Sequence, residues 1–278
     1  MSGTRTHDKP SATIALNAAL FVFGAFSLLP LLWMVGASFM SAGEATSIPP
    51  AVFPRHPTLA HYRDLFGRLD VGRYALNSLI VAVVTTVCSL VINSSAGYAF
   101  AKLRFRGRDA TFRVLLVGLA IPVQVGMLPL FLLMKALGLV NSYGGVIIPG
   151  LASVFGIFLV RQYALGIPDD LLDAARIDGA SEFAIFRSIV VPAIRPVLAT
   201  LALWTFLATW NDFMWPLIVL SDDRRYTLPV ALAGLVGEHG LDVELMMAGA
   251  VITVLPVLTL FLMLQRYYMD GVTEGSIK

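Results

Sequence analysis

Charge is scarce in this chain. Asp, Glu, Lys and Arg make up 14% of its 278 residues, against about 25% in an ordinary soluble domain. The formal net charge of +2 offers no basic excess, so no nucleic-acid partner is expected. Cysteine is nearly absent. Cys88 stands alone inside an apolar run, which excludes an intrachain disulfide and any multi-cysteine metal site. The four histidines, His7, His56, His61 and His239, fall in tails or polar loops without metal-ligand spacing, so no metal site is expected. No glycine-rich phosphate loop ending in Lys-Ser/Thr occurs. The chain is therefore expected to hold no cofactor, and any ATP hydrolysis has to come from a separate chain. No catalytic constellation is present, nor any repeat of solenoid period.

What is abundant is apolar length. Hydrophobic residues make up 57% of the chain and the mean hydropathy is +0.78. Runs of about 20 apolar residues are long enough to cross a bilayer as helices. Six such spans are expected, at 12–39, 75–101, 112–137, 144–165, 189–220 and 247–265. This makes the chain an all-α membrane protein, read as a single transmembrane domain over 1–278. The first span reads as an uncleaved signal anchor. The fifth exceeds one crossing, and Pro192, Pro196 and Pro216 mark bends or ends within it.

Charge asymmetry orients the spans. With the N-terminus in the cytoplasm, the tight run Lys102, Arg104, Arg106, Arg108 and Arg113 falls in a short inner loop, where basic residues weigh most. Both ends are then cytoplasmic, and so is the segment 166–192. The outer loops are 40–74, with Pro49, Pro50 and Pro54, and 221–246, with Gly234, Gly237 and Gly240. The latter reads either as a flexible connector or as a reach toward a partner.

Segment 166–192 reads GIPDDLLDAARIDGASEFAIFRSIVVP. Pro168 suits a first helical turn, and Asp169 and Asp170 suit the positive end of a helix. Gly179 ends that helix and Ser181 caps a second one running toward Pro192. Ala174, Ala175, Gly179 and Ala180 leave little bulk, so another backbone can approach, while Asp173, Arg176, Asp178 and Arg187 supply charge. A helical hairpin lying on lipid is the competing reading. Against it stands the acidity of the segment, since lipid-lying helices tend to be basic.

The spacing Asp173-Ala174-Ala175, Gly179, Ile189, Val191-Pro192 resembles the loop of ATP-binding-cassette (ABC) importer permeases written Glu-Ala-Ala, three residues, Gly, nine residues, Ile, one residue, Leu-Pro. Asp replaces Glu at 173 and Val replaces Leu at 191. Further motifs resemble the carbohydrate-type members, and the six-span partner of the sugar-importer pair in particular. They are Asn77-Ser78, Tyr98-Ala99-Phe100-Ala101, Phe206, Trp210-Asn211-Asp212-Phe213, Trp215-Pro216-Leu217, Tyr226-Thr227-Leu228-Pro229 and Gln265-Arg266-Tyr267. The resemblance covers essentially the whole chain, with 73–267 as its core. It implies an inner-membrane permease subunit working with a second permease subunit, a cytoplasmic ABC ATPase dimer that holds the ATP, and an extracytoplasmic solute-binding protein. By resemblance, Asp173, Ala174, Ala175, Gly179, Ile189 and Pro192 form a cytoplasmic coupling loop that docks on the ATPase. The 271–278 tail would reach the same interface, and 234–244 would probe the binding protein.

Polar groups inside spans are costly and often functional. Asn93, Gln124, Asn211 and Asp212 are candidates for lining a path for a carbohydrate, with Trp204, Trp210 and Trp215 available to stack on sugar faces. For Asn93 and Gln124 the alternative is helix–helix hydrogen bonding; for Trp210 and Trp215 it is anchoring at the membrane interface. Two other functions compete. A non-sugar ABC importer would keep the coupling loop and lose the softer motifs. An ion-coupled secondary transporter would carry several deep charges and an inverted repeat, neither of which is evident.

Overall fold

Apolar runs form helices here, and proline or glycine decides where they break. A computed structural model of the chain describes residues 10–49, 51–238 and 242–275. Its helices are α1 (Pro10–Ala37), α2 (Ala60–Gly67), α3 (Val71–Lys102), α4 (Arg108–Gly118), α5 (Val123–Ala136), α6 (Tyr143–Ile147), α7 (Val154–Leu165), α8 (Asp169–Ile177), α9 (Glu182–Ile185), α10 (Val191–Ala193), α11 (Arg195–Trp210), α12 (Met214–Val219), α13 (Leu228–Glu238) and α14 (Val243–Gly275). A π turn at Phe186–Val190 makes α9 and α10 one continuous helical stretch. No strand occurs among the described residues.

Among the described residues, four helical segments are long and apolar enough to cross a membrane: Leu16–Ala37, Val71–Lys102, Tyr143–Leu165 and Val243–Met263. Two sharply bent pairs bring the number to six if each pair is counted as one span, and it is there that the expected spans need correction. The span expected at 112–137 is broken, with α4 and α5 meeting at 105°. Pro122 sits between them with ψ 132°; it has no N–H to donate and drives the residue before it out of helical conformation. The span expected at 189–220 starts later. The stretch Glu182–Ala193 meets α11 at 80°, with the turn at Ile194 between Pro192 and Pro196. The span at 144–165 keeps its place but passes through a 3-10 turn at Ile148–Gly150 before Ser153 caps α7.

The two loops expected on the outside hold more helix than expected. α2 lies in 40–74, and α13 with the first turn of α14 fills most of 221–246. The 239–241 part of that loop, with His239 and Gly240, lies outside the described residues, as do 1–9 with His7. The backbone of the tail is helical to Gly275, and 276–278 lie outside the described residues.

The chain divides into two compact units, Met1–Asp70 with Leu235–Val254, and Val71–Gly234 with Leu255–Lys278. In the first, Ala37, Met40, Ala45 and Ala51 form a small core with Trp33, Val243 and Met247. The buried Glu244 carboxylate accepts the Ala45 N–H at 2.8 Å, and the Trp33 indole donates to the Ala51 carbonyl. In the second, α3 packs against α7 and α11. Gly97 allows the closest approach: a Cβ there would lie 2.6 Å from Val160 Cγ1 and 3.0 Å from the Arg161 backbone nitrogen. Small residues bring helix backbones together in this way in membranes. One apolar cluster of this unit joins Tyr98, Val160, Ile167, Leu172, Ile185 and Leu201; another joins Val81, Met134, Val146, Trp215 and Val219.

Candidate functional site

The segment after α7 folds as its residues dictate. Pro168 stands just before α8 with φ −59° and ψ 133°, and Asp169 and Asp170 occupy the first turn. α8 ends in a Schellman closure, with Ala180 N–H donating to the Ala175 carbonyl at 2.9 Å and Gly179 N–H to the Arg176 carbonyl at 3.0 Å. That geometry needs a left-handed residue, and Gly179 supplies it at φ +84°. Ser181 then caps α9, its hydroxyl accepting the Ala184 N–H. The π turn precedes Pro192, whose missing N–H and ring would otherwise strain an α-helical ladder. The result is a helical hairpin, α8 against α9–α10.

The charges of this hairpin are spent on one another. Arg176 donates through Nη1 to Asp173 Oδ1 at 2.6 Å and through Nε to Glu182 Oε1 at 2.7 Å. Glu182 accepts from the Tyr98 hydroxyl of α3 at 2.7 Å through its other oxygen. Lys102, at the end of α3, donates to Asp169 Oδ1 and to the Ile167 carbonyl, each at 2.6 Å. The Lys102 ammonium holds the Asp169 carboxyl below its usual range. Its stabilising effect is therefore present above the ordinary carboxylate pKa and is lost only as pH falls through the depressed value.

The six residues expected to form the loop's contact surface divide by face. Asp173, Ala174 and Gly179 are exposed, and a Cβ at Gly179 would meet open space. Ala175 and Ile189 pack partly into the apolar cluster with Leu172, and Pro192 is half-buried. Two large apolar side chains that the motif does not contain, Ile177 and Phe183, stand 86% and 71% exposed on the hairpin. The helical period of α8 pointed to Ile177, since Leu172 faces inward. No sequence signal joined Tyr98 or Lys102 to the hairpin.

The polar residues of the spans do not converge; no hydrogen bond joins any two of the four candidates among the described residues. Asn93 is fully buried. Its amide donates to Ser89 Oγ at 2.6 Å and its carbonyl oxygen accepts the Ser153 N–H at 3.0 Å, where α7 begins. It ties α3 to the start of α7, which is the helix–helix alternative given for it. Gln124 is exposed. Asn211 is exposed and donates back to the Leu207 carbonyl, and Asp212 accepts the Trp215 N–H at 3.3 Å. Trp210 and Trp215 are buried, and Trp215 Nε1 donates to the Gly145 carbonyl at 3.0 Å. Neither is an interfacial anchor or a free stacking surface; Trp204 alone of the three is exposed. Replacing Asn93 by Leu strands the part-buried Ser153 N–H, at a cost of about 1 kcal/mol or more. The variant is expected to show a lowered thermal midpoint in detergent and an unchanged KM for solute. A shifted KM at unchanged stability would return Asn93 to the path.

The soft motifs Asn77-Ser78 and Tyr226-Thr227-Leu228 meet in the structure. Asn77 donates to the Arg224 and Tyr226 carbonyls and accepts from the Tyr143 hydroxyl, while Ser78 Oγ accepts the Leu228 N–H. They clasp the start of α3 to the chain entering α13.

The structure is that of a multi-helix membrane chain with a charged helical hairpin between two of its candidate spans. Residues 93–273 match the family described as the inner membrane component of binding-protein-dependent transport systems, and the chain belongs to that family. It is 40% identical over 264 residues to an arabinooligosaccharides transport system permease protein, AraQ, of Halalkalibacterium halodurans, covering 93% of this chain and 94% of that one. It is 30% identical to the diacetylchitobiose uptake system permease protein NgcG of Streptomyces coelicolor, covering 98% and 90%. Among solved structures, a chain of a bacterial ABC transporter involved in alginate import superposes with a TM-score of 0.81 at 25% identity, covering 96% of this chain and all of that one.

Proposed function

We propose that the chain is one of two permease subunits of an ABC importer for an oligosaccharide, and that the hairpin α8–α10 is the surface through which a cytoplasmic ATPase dimer drives it. The hairpin itself carries this reading. Its Schellman closure and Arg176 knot fix its shape from within, leaving Asp173, Ala174 and Gly179 exposed, with open space in front of Gly179. A surface fixed in this way loses little on docking, because its order is already in place. The saccharide substrate is supported by the names of relatives such as the arabinooligosaccharide and diacetylchitobiose permeases, and by the alginate importer among solved structures. ATP sits on the partner ATPase, and an extracytoplasmic binding protein delivers the solute. The basic run from Lys102 to Arg113 puts both chain ends and the hairpin in the cytoplasm.

Purification from native membranes tests the assembly: the ATPase, a second permease subunit and a binding protein should come with the chain, and the binding protein should hold a saccharide. A reporter fused after Gly179 should read cytoplasm, and one fused after Asp223 the outside; the reverse would overturn the topology. Gly179→Asp places a charged side chain in open space at a cost to the fold of about 1 kcal/mol. It is expected to lower uptake several-fold while the chain accumulates normally. Normal uptake by that variant would sink the docking assignment.

A further inference from the structure

We infer that the last turn of α3 is a side-chain linkage that moves the hairpin with the membrane bundle, with Tyr98 and Lys102 as its positioning residues. The inference rests on the hairpin being the ATPase docking surface. Tyr98 and Lys102 are four residues apart and so share one helix face. Tyr98 is 4% exposed, and its hydroxyl holds Glu182, the first residue of α9. The Lys102 side chain is 6% exposed, and its ammonium holds Asp169, the first residue of α8. One face of α3 therefore grips the start of each hairpin helix. Arg176 ties the two grips together through Glu182 and Asp173.

Along the backbone the hairpin joins the bundle at only two places. Gly166–Pro168 leads into it from α7, and Ile194 leads out of it at the 80° turn into α11. Two such joints alone leave a hairpin free to rotate about the line between them. The polar contacts to α3 act with the apolar cluster of Leu172 and Ile185 in holding the hairpin to the bundle, so a push on the hairpin displaces α3. α3 packs along α7 and α11, and its displacement reaches the rest of that unit. The ring of Tyr98 also lies 5.6 Å from that of Phe186, so its packing survives loss of the hydroxyl.

Tyr98→Phe and Lys102→Met remove the linkage while keeping side-chain volume. The transporter, assembled with its own ATPase and binding protein in proteoliposomes, is assayed for solute delivered per ATP hydrolysed, together with its thermal midpoint. In the double variant the ratio is expected to fall by about fivefold or more, the scale of a typical coupling between sites, while hydrolysis continues and the ATPase stays bound. Lys102→Arg should restore much of what Lys102→Met loses. A wild-type ratio in the double variant would overturn the linkage. If the double variant does not accumulate, Tyr98→Phe alone is held to the same criterion. If the wild-type chain fails to bring an ATPase with it at all, the docking reading fails instead, and the two results are distinct.

Discussion

Replacing Gly97 by Leu is expected to leave no folded chain to purify. Gly97 lies where α3 and α7 come closest. A Cβ there would stand 2.6 Å from Val160 Cγ1, 2.7 Å from Val160 Cβ and 3.0 Å from the Arg161 backbone nitrogen. Side chains can turn aside from a new atom, but a backbone nitrogen inside a helix cannot, so α7 as a whole has to retreat. Overpacking of this kind costs about 1–3 kcal/mol or more even where side chains can adjust, against a total stability of about 5–15 kcal/mol for a folded domain. The retreat also pulls at the buried Asn93–Ser153 tie and at Gly156, which itself would meet Asn93 Nδ2 at 2.9 Å if it bore a Cβ. Gly97→Ala should be intermediate. Adding Val160→Ala should rescue it only in part, since Val160 Cβ and the Arg161 nitrogen remain. Gly24→Leu is the control: nothing lies within 4 Å of that position, and accumulation should be normal. Monodisperse yield and thermal midpoint in detergent are the measurements. A Gly97→Leu chain as stable as the control would show that the α3–α7 contact does not carry the fold.

The parts of this fold that were legible in the sequence are those decided by near neighbours. The hairpin is one. Pro168, Asp169, Gly179 and Ser181 each act within a few residues, and the structure has the helix ends where those residues place them. The break at Ile194 was legible too, from Pro192 and Pro196. The break between α4 and α5 was not, because apolar length over 112–137 outweighed a single Pro122 in the reading. Contacts that close over distance left no local trace. Lys102 reaches Asp169 across 67 positions and Asn77 reaches Tyr226 across 149. Each of those residues was marked for a reason of its own neighbourhood, and only the packed bundle pairs them. Burial misled in the same way. Trp210 and Trp215 sit in a run that reads as interfacial, yet Trp215 is held inward by the Gly145 carbonyl and Trp210 stacks on Phe206 at 5.8 Å. The spacing from Asp173 to Pro192 was legible as a pattern, but its residues take two positions in the hairpin. Asp173, Ala174 and Gly179 face out, whereas Ala175 and Ile189 help build the surface from behind.

That division points to the side chains outside the motif. Ile177→Asp and Phe183→Asp together are expected to abolish uptake without harming the fold. The two stand 86% and 71% exposed, whereas Leu172, about 140° away from Ile177 around α8, is 1% exposed and buried in the cluster with Tyr98 and Ile185. α8 therefore turns one apolar side inward and keeps Ile177 for something else. Burying a side chain of this size against a partner is worth about 1.5–3 kcal/mol, and an aspartate in its place adds the cost of a desolvated charge. Loss of two such contacts corresponds to a fall in ATPase affinity of more than about 100-fold, since each 1.4 kcal/mol is tenfold. Retention of the ATPase during purification and saccharide uptake in membrane vesicles are the readouts, with thermal midpoint as the check on folding. Leu172→Asp provides the contrast: it should lose uptake by unfolding the hairpin, with a lowered midpoint. If Ile177 and Phe183 were instead seated in lipid, their aspartate variants would fail to accumulate in the membrane. Normal accumulation with normal uptake and a normally bound ATPase would remove both residues from the docking surface.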